Sequence, residues 1–486
     1  MNKAKKNYIF QVIYQLLTLM FPLITAPYVT ITLGASNLGI YTYSLSVATV
    51  FLKVAELGIV NHGSRSIASV QDNEIERSKV FSNIYVIQAF SSLLMTLIYI
   101  AYVFLIVKED KCIGFLQTIS VISSLFNISW LYMGMENFKK IVFRDTAVKI
   151  LSLFCIFIFV REKNDLWKYA CILLVSSTVG YLTLWFEIKK YVVLFKPSIE
   201  EIKKHIKPIL ILFIPTIAVT LYTTIDKVML GSISGKSQVA YYQYAATLAS
   251  IPLGFITSFG NVMMPHMASM SAKKEKSVVE TINKSMLFIM FLSSAFAFGE
   301  AAISREIIPL YYGDEFIASV PLLILLSIKL PFMSWASVIR TQCLIPENRD
   351  KEYIISLFCG AAINLSMNFF LISKFDAIGA VIATIFAEIA VCVAQTTCVW
   401  KRLHLGKTLL HGIGFPVIGV IMYSVVRIVA LQFETNVLTL LFEVLIGASI
   451  YLVLSFFYYC YVFKKSSIRS FYILVKDMLT RKKDNN

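Results

Sequence analysis

Charge is scarce in this sequence. Only 15% of its 486 residues are Asp, Glu, Lys or Arg, where a soluble domain carries roughly 25%. That deficit excludes an ordinary water-soluble globule. Acidic residues are the rarer sign, 29 against 45 Lys and Arg. Paired cysteines are lacking too: the eight that occur show no C-x-x-C spacing and nearly all stand inside apolar runs. They read as small core hydrophobes, which argues against a disulfide framework or a metal site. No P-loop or other nucleotide motif occurs, so neither ATP nor any other cofactor is expected, and the chain does not read as an enzyme.

What is present is long apolar sequence. The residues AVILMFWYC fill 57% of positions, concentrated in runs such as 9–33, 81–107 and 437–463. Crossing a hydrocarbon core takes ~20 apolar residues, and only helices or closed barrels satisfy their backbone there. The runs are too long and too evenly apolar for barrel strands. We expect an all-α polytopic membrane protein of about fourteen transmembrane helices. The first run is too long for a signal peptide and no small-residue cleavage site follows it, so it reads as an uncleaved span.

Charge sets the expected orientation. With the N-terminus inside and span-end residues assigned to the nearer face, 32 Lys and Arg fall on the cytoplasmic side, 8 outside and 5 within spans. Such a bias over short loops places both termini in the cytoplasm. The net charge of +16 is thus mostly a topology signal, and no folded basic module is left for nucleic acid. External loops do not exceed about fifteen residues, too short for an external catalytic domain such as a polysaccharide polymerase would need.

An internal repeat divides the chain. Leu33-Gly34 and the Tyr41/Tyr43 segment have counterparts in Leu230-Gly231 and Tyr242/Tyr244. Pro22 matches Pro215, Asn61-His62 matches Pro265-His266, and Glu136-Asn137 matches Glu347-Asn348. Six spans per copy is an even number, so both copies insert the same way up. That predicts two six-helix bundles related by a pseudo-two-fold axis along the membrane normal, with a cavity between them, plus two C-terminal helices. The expected domains are a bundle over 1–187, a basic amphipathic linker over 188–207 suited to anionic lipid, and a second bundle over 208–400. Two added spans over 401–463 and a basic cytoplasmic tail over 464–486 complete the chain.

Charges within spans are costly, about 2.5–3.5 kcal/mol at the centre on insertion scales, and are functional candidates by default. Thr42, Ser46, Thr49, Lys53 and Glu56 fall on one helical face; Thr216, Thr220 and Thr223 or Thr224, with Asp226 and Lys227, repeat the pattern. For the hydroxyls alone, ordinary helix–helix bonding is the better reading. For Lys53, Glu56, Asp226 and Lys227 a water-filled cavity is slightly favoured. Lys149 lies near a span end and can snorkel, whereas Lys329 and Glu388 lie near span centres. Arg427 and Glu443 read as a structural pair.

Several segments carry a family resemblance: TAPYVTITLGASNLGIYTYSLSV at 25–47, ELGIVNHGSR at 56–65, and WLYMGMENFKK at 130–140 with Arg144. TIDKVMLG at 224–231 and GAAINLSMNFFLISKFDAIGAVIATIFAE at 360–388 add to it. Over about residues 5–465 the chain resembles Wzx-type repeat-unit flippases, of the polysaccharide transport branch of the multidrug/oligosaccharidyl-lipid/polysaccharide exporter superfamily. The family's usual acidic residue in the exit motif is matched by Glu56. The resemblance implies a bacterial cytoplasmic-membrane protein that moves undecaprenyl-diphosphate-linked oligosaccharide between leaflets for capsule, exopolysaccharide or O-antigen assembly. A polysaccharide polymerase and a chain-length regulator would be its partners, beside membrane lipid. A diphosphate cannot cross hydrocarbon unaided, and Lys53, Arg65, Lys149, Lys227, Lys329 and Arg340 are the cations available to offset it. Glu56, Asp226 and Glu388 are the candidates for coupling H+ or Na+. A multidrug/cation antiporter of the same superfamily is the alternative; the added spans and the 130–140 motif weigh against it.

Overall fold

A computed structural model describes residues 3–273 and 277–463; the basic tail expected at 464–486 lies outside the described residues. Among those residues the chain is helical, with no strand. It separates into two compact units, the first ending at Gln243 and the second starting at Tyr244.

The first unit contains α1 (Lys3–Glu56), α2 (Ile59–Ser69), α3 (Glu74–Leu105), the short α4 (Lys111–Leu116), α5 (Thr118–Ile122) and α6 (Ser129–Gly134), then α7 (Phe138–Phe159), α8 (Leu166–Thr183) and α9 (Ile199–Ile233). It ends in the start of α10 (Lys236–Ala272). The 54 residues of α1 would run about 80 Å if straight, against a hydrocarbon core of about 30 Å. The helix is broken accordingly at Gly34, whose φ of 78° is readily reached only without a Cβ. Asn37 secures the break by donating to the carbonyls of Leu33 at 3.1 Å and Lys163 at 2.7 Å. At the entry to α3, the Asn73 side chain accepts from the amides of Ile75 and Glu76 at 3.1 Å, with Glu74 and Glu76 in the first turn. Cap and carboxylates both suit the positive end of a helix dipole.

The core of this unit gathers around Trp130, which is fully buried and stacks on Phe81 with centroids 5.2 Å apart. Ile59, Ile67 and Ile84 join it. Between α8 and α9 the chain forms a strap: the amides of Val193, Phe195 and Ser198 donate to Ser78 Oγ, Ser82 Oγ and Asn83 Oδ1, each at 3.0 Å. Arg77 Nε donates to the Tyr191 carbonyl at 2.7 Å. One face of α3 thus satisfies backbone that would otherwise need water. The remainder of the basic linker, from Ile199 on, is already the first part of α9.

The second unit continues α10 and adds α11 (Val278–Tyr312), α12 (Ser319–Ile328), α13 (Leu330–Ile339), α14 (Asp350–Leu403), α15 (Leu405–Gly412), α16 (Gly414–Ala430) and α17 (Val437–Phe463). Its core packs Trp335, Met286, Ile289, Ile339 and Phe415. A single π-helical turn, Arg340–Leu344, follows α13. The 54-residue α14 breaks at Asp376, with φ 49°. The chain folds back tightly there, because a Cβ on Gly379 would lie 2.2 Å from the Leu371 carbonyl oxygen.

Eleven described helical segments are long and apolar enough to cross a membrane. Two of them, 20–69 and 350–403, contain the breaks at Gly34 and Asp376.

Candidate functional site

Two clusters of polar residues stand out in the first unit. The first closes the end of α1. Lys53 Nζ lies 2.7 Å from Glu56 Oε2, and Asn127 Nδ2 donates to Glu56 Oε1 at 2.9 Å. Asn127 Oδ1 accepts from Ser129 Oγ at 2.6 Å. Gln88 Nε2 donates to the carbonyls of Ser124 and Asn127, and its Oε1 accepts from Trp130 Nε1 at 2.9 Å. A buried carboxylate is tolerable when it is both paired and hydrogen-bonded, and Glu56 is both. The network therefore positions helices: it ties α1 to α3 and to the segment between α5 and α6. Its backbone is equally tight, since a Cβ on Gly58 would lie 2.3 Å from the Ile209 carbonyl oxygen of α9.

The second cluster lines a pocket of about 240 Å³ bounded by Phe21, α7 and α8. From α7 come Arg144, Asp145 and Lys149; from α8 come Ser176, Ser177 and Tyr181. The spacing of Arg144, Val148 and Ser152 puts one face of α7 into the pocket. Asp145 Oδ1 accepts from Arg144 Nε at 2.8 Å and also from Nη2. The guanidinium carbon stands 5.3 Å from the centroid of the Tyr181 ring, within cation–π range. Its remaining nitrogen, Nη1, is buried and has no hydrogen-bond partner. A buried N–H of a permanently charged group costs free energy until an acceptor arrives. Beside a second cation and two hydroxyls, the acceptor this geometry suits is anionic.

The remaining sequence candidates are dispersed. Asp226, buried, accepts from Tyr242 Oη at 3.0 Å, and Lys227 Nζ reaches Gln243 Oε1 at 3.1 Å. Both contacts join α9 to α10 within the first unit. Arg65 is exposed on α2. In the second unit, Arg340 Nη2 reaches Ser337 Oγ at 3.2 Å and its guanidinium carbon lies 5.9 Å from the Tyr353 centroid. Glu388 is buried, and Lys329 caps the junction of α12 and α13 within electrostatic reach of Glu300. Arg427 corrects one reading: its Nη1 contacts both carboxylate oxygens of Glu306 at 2.8 Å, and no ion pair joins it to Glu443. The physical reason is packing, because Arg427 faces α11, where it also reaches the Ala302 carbonyl at 2.9 Å.

The hydroxyl stripes behave as the simpler reading expects of polar groups in a membrane, but within single helices rather than across them. Ser46 and Thr49 donate to carbonyls four residues back at 2.7 Å, as do Thr216 and Thr220 at 3.0 and 2.9 Å. Such back-bonding satisfies a hydroxyl without water. Sequence reasoning overlooked Arg144 as a site residue, although it closes the 130–140 motif and stands five residues before Lys149. Ser176, Ser177 and Tyr181 carried no signal of their own.

Comparison with known proteins adds the family. The model of the family described as "Polysaccharide biosynthesis protein" matches residues 4–271. A curated relative, "Putative O-antigen transporter" of Escherichia coli (strain K12), is 24% identical over 390 residues, 79% of this chain and 94% of its own length. A protein of the same name from Shigella dysenteriae is 23% identical over 401 residues, covering 80% and 98%. Among solved structures, the lipid II flippase MurJ in an inward closed conformation superposes with a TM-score of 0.77 at 19% identity, covering 93% of this chain and 98% of that one. An inward-facing multidrug resistance transporter of the MATE family, in the MOP superfamily, gives a TM-score of 0.61 at 16% identity, covering 81% and 98%. These two likenesses speak to the fold, a polytopic all-helical one. The family model covers more than half of the sequence, and this multi-pass membrane chain belongs to the polysaccharide biosynthesis protein family.

Proposed function

We propose that this protein flips an undecaprenyl-diphosphate-linked oligosaccharide from the cytoplasmic to the outer leaflet of the bacterial cytoplasmic membrane, by alternating access, for capsule, exopolysaccharide or O-antigen assembly. Membership of the polysaccharide biosynthesis protein family supports this substrate class, as do the O-antigen transporters among its relatives. The single observation that carries the reading is the α7–α8 pocket with its unsatisfied Arg144 Nη1, adjoining Lys149 and two serines. A diphosphate offers the acceptor oxygens that such a guanidinium lacks, and charge-assisted bonds of this kind are roughly twice as strong as neutral ones. Both termini are assigned to the cytoplasm by the charge bias. Lys53 and Glu56 neutralise each other, which leaves Arg144 and Lys149 as the better diphosphate contacts.

The test is a flipping assay in proteoliposomes, with a fluorescent undecaprenyl-diphosphate-linked sugar and a membrane-impermeant quencher. Arg144→Ala should slow flipping about tenfold or more, the equivalent of roughly 1.4 kcal/mol. Lys149→Ala should cost less, and Arg144→Lys should keep part of the rate because charge survives while the planar fork is lost. A double alanine variant that flips at the wild-type rate would remove this pocket from the mechanism.

A further inference from the structure

The last two helices contain a group that neither packing nor the α7–α8 pocket explains. Glu443, in the second turn of α17, is 1% exposed, and neither of its carboxyl oxygens has a hydrogen-bond partner. It lines a cavity of about 470 Å³ whose other walls are almost wholly apolar: Leu248, Phe255, Phe291, Leu323, Val426 and Leu452 among them. An ionised carboxylate there, unpaired and dry, would cost several kcal/mol; the neutral acid costs far less.

Its surroundings explain how that state can change. Facing it from α11 is Glu306, and from α16 Arg427, the two already joined at 2.8 Å. Glu300, six residues before Glu306, lines the same cavity and accepts from Ser327 Oγ of α12 at 3.2 Å. Lys329 at the end of α12 acts on Glu300. On α17 itself Tyr451 donates to the Phe291 carbonyl at 2.8 Å. The α10 wall, Leu248, Ile251, Pro252 and Phe255, contributes no charge. One guanidinium thus stands among two carboxyl groups and is committed to one of them. Arg427 lies in the last turn of α16 and Glu443 in the second turn of α17, so both sit beside the hairpin at 431–436, where water is near.

We propose that Glu443 is a proton-binding site, held as the neutral acid while Arg427 is closed on Glu306 and ionised when the guanidinium turns toward it. The proton leaves Glu443 for water at the hairpin, no other bond changes, and the cluster of Glu306, Arg427 and Glu443 passes from net zero to one negative charge. Gain and loss of that proton would alter how α17 seats on α11 and α16, which makes it a switch of the second unit.

Infrared difference spectroscopy of the full-length protein in lipid nanodiscs, stepped through pH, reads the C=O stretch of protonated carboxyl groups directly. No substrate is needed, so the outcome is independent of the flipping reading. The wild type should show a carboxylic-acid band that vanishes as pH rises. E443Q should lack it, and E300Q should keep it. E306Q releases Arg427 for Glu443, so its band should vanish about one to three pH units lower, the shift a nearby opposite charge produces. E443D serves if E443Q is not monodisperse, and should return the band at a changed frequency. A band unaltered in E443Q, or in E443D where that is read, overturns the proposal. So does an E306Q titration that coincides with the wild type.

Discussion

The two units meet the problem of polar groups in a membrane in different ways. The first pairs most of its buried charged groups, with Arg144 Nη1 the exception that matters. Glu56 is held by Lys53 and Asn127, Asp226 by Tyr242, and Lys236 by Asp110 and Glu109. Two of its pockets, of about 240 and 310 Å³, are small and carry charged residues on their walls. The second unit has cavities of about 470 and 920 Å³ with apolar walls. Polar groups are few along those walls, and one of them, Glu443, has no hydrogen-bond partner. The difference teaches where rigidity and change are invested. Satisfied networks fix one arrangement of helices, whereas apolar space beside a lone carboxyl tolerates movement.

The sharpest way to break this contrast is at Gly39. A Cβ there would lie 1.9 Å from the Lys236 carbonyl oxygen, and only backbone could yield. Gly39→Ala should destabilise the protein by about 4 kcal/mol or more, in the range reserved for severe overpacking. Size-exclusion profiles after graded heating would register it as loss of the folded peak; a profile identical to wild type would mean that this contact is soft.

Asn127→Ala comes next. It removes a hydrogen bond from buried Glu56 and strands Ser129 Oγ, at a cost of about 1–3 kcal/mol. Lys53→Ala in the same background should then cost more than it does alone, because the carboxylate would have lost both partners; strict additivity of the two would show that the network is not one. In the second unit, Tyr451→Phe deletes the bond to the Phe291 carbonyl and should cost about 1 kcal/mol, read as a small fall in thermal midpoint. The smallest effect belongs to Gly299→Ala. Its Cβ would meet just the Met422 methyl, at 3.9 Å, on the wall of the 470 Å³ cavity. We expect a change within about 0.5 kcal/mol, and a large loss there would argue that the cavity wall is as tightly fitted as the first unit.

Much of this fold is legible in the sequence because a bilayer leaves few options. Apolar runs of span length must be helices, and the short interruptions at 34–37 and 374–377 must be turns if each side is to cross. The breaks at Gly34 and Asp376 fall inside them. The pairing of charges is much less legible. Lys53 and Glu56 are neighbours on one helix, but Asn127 reaches them from 71 residues away. Arg427 reaches Glu306 across 121 residues, while Glu443, the nearer acid in sequence, receives no such bond. Which carboxylate a guanidinium faces depends on helix rotation, and periodicity alone does not set the angle between packed helices. Arg144 illustrates the opposite case: its motif was visible, while the role suggested by its unsatisfied nitrogen emerges only when Ser176, Ser177 and Tyr181 close the pocket around it.

The strap between α8 and α9 bears on how the chain meets a protease. Lys196 is exposed and lies outside any helix, which by sequence is an inviting tryptic site. Cleavage requires the substrate backbone to be drawn out as a strand that pairs with the enzyme. The amides of Val193, Phe195 and Ser198, which would do that pairing, are already given to Ser78, Ser82 and Asn83. The segment between α8 and α9 is therefore shielded by its own hydrogen bonds, and the stretches on either side of it remain one covalent piece.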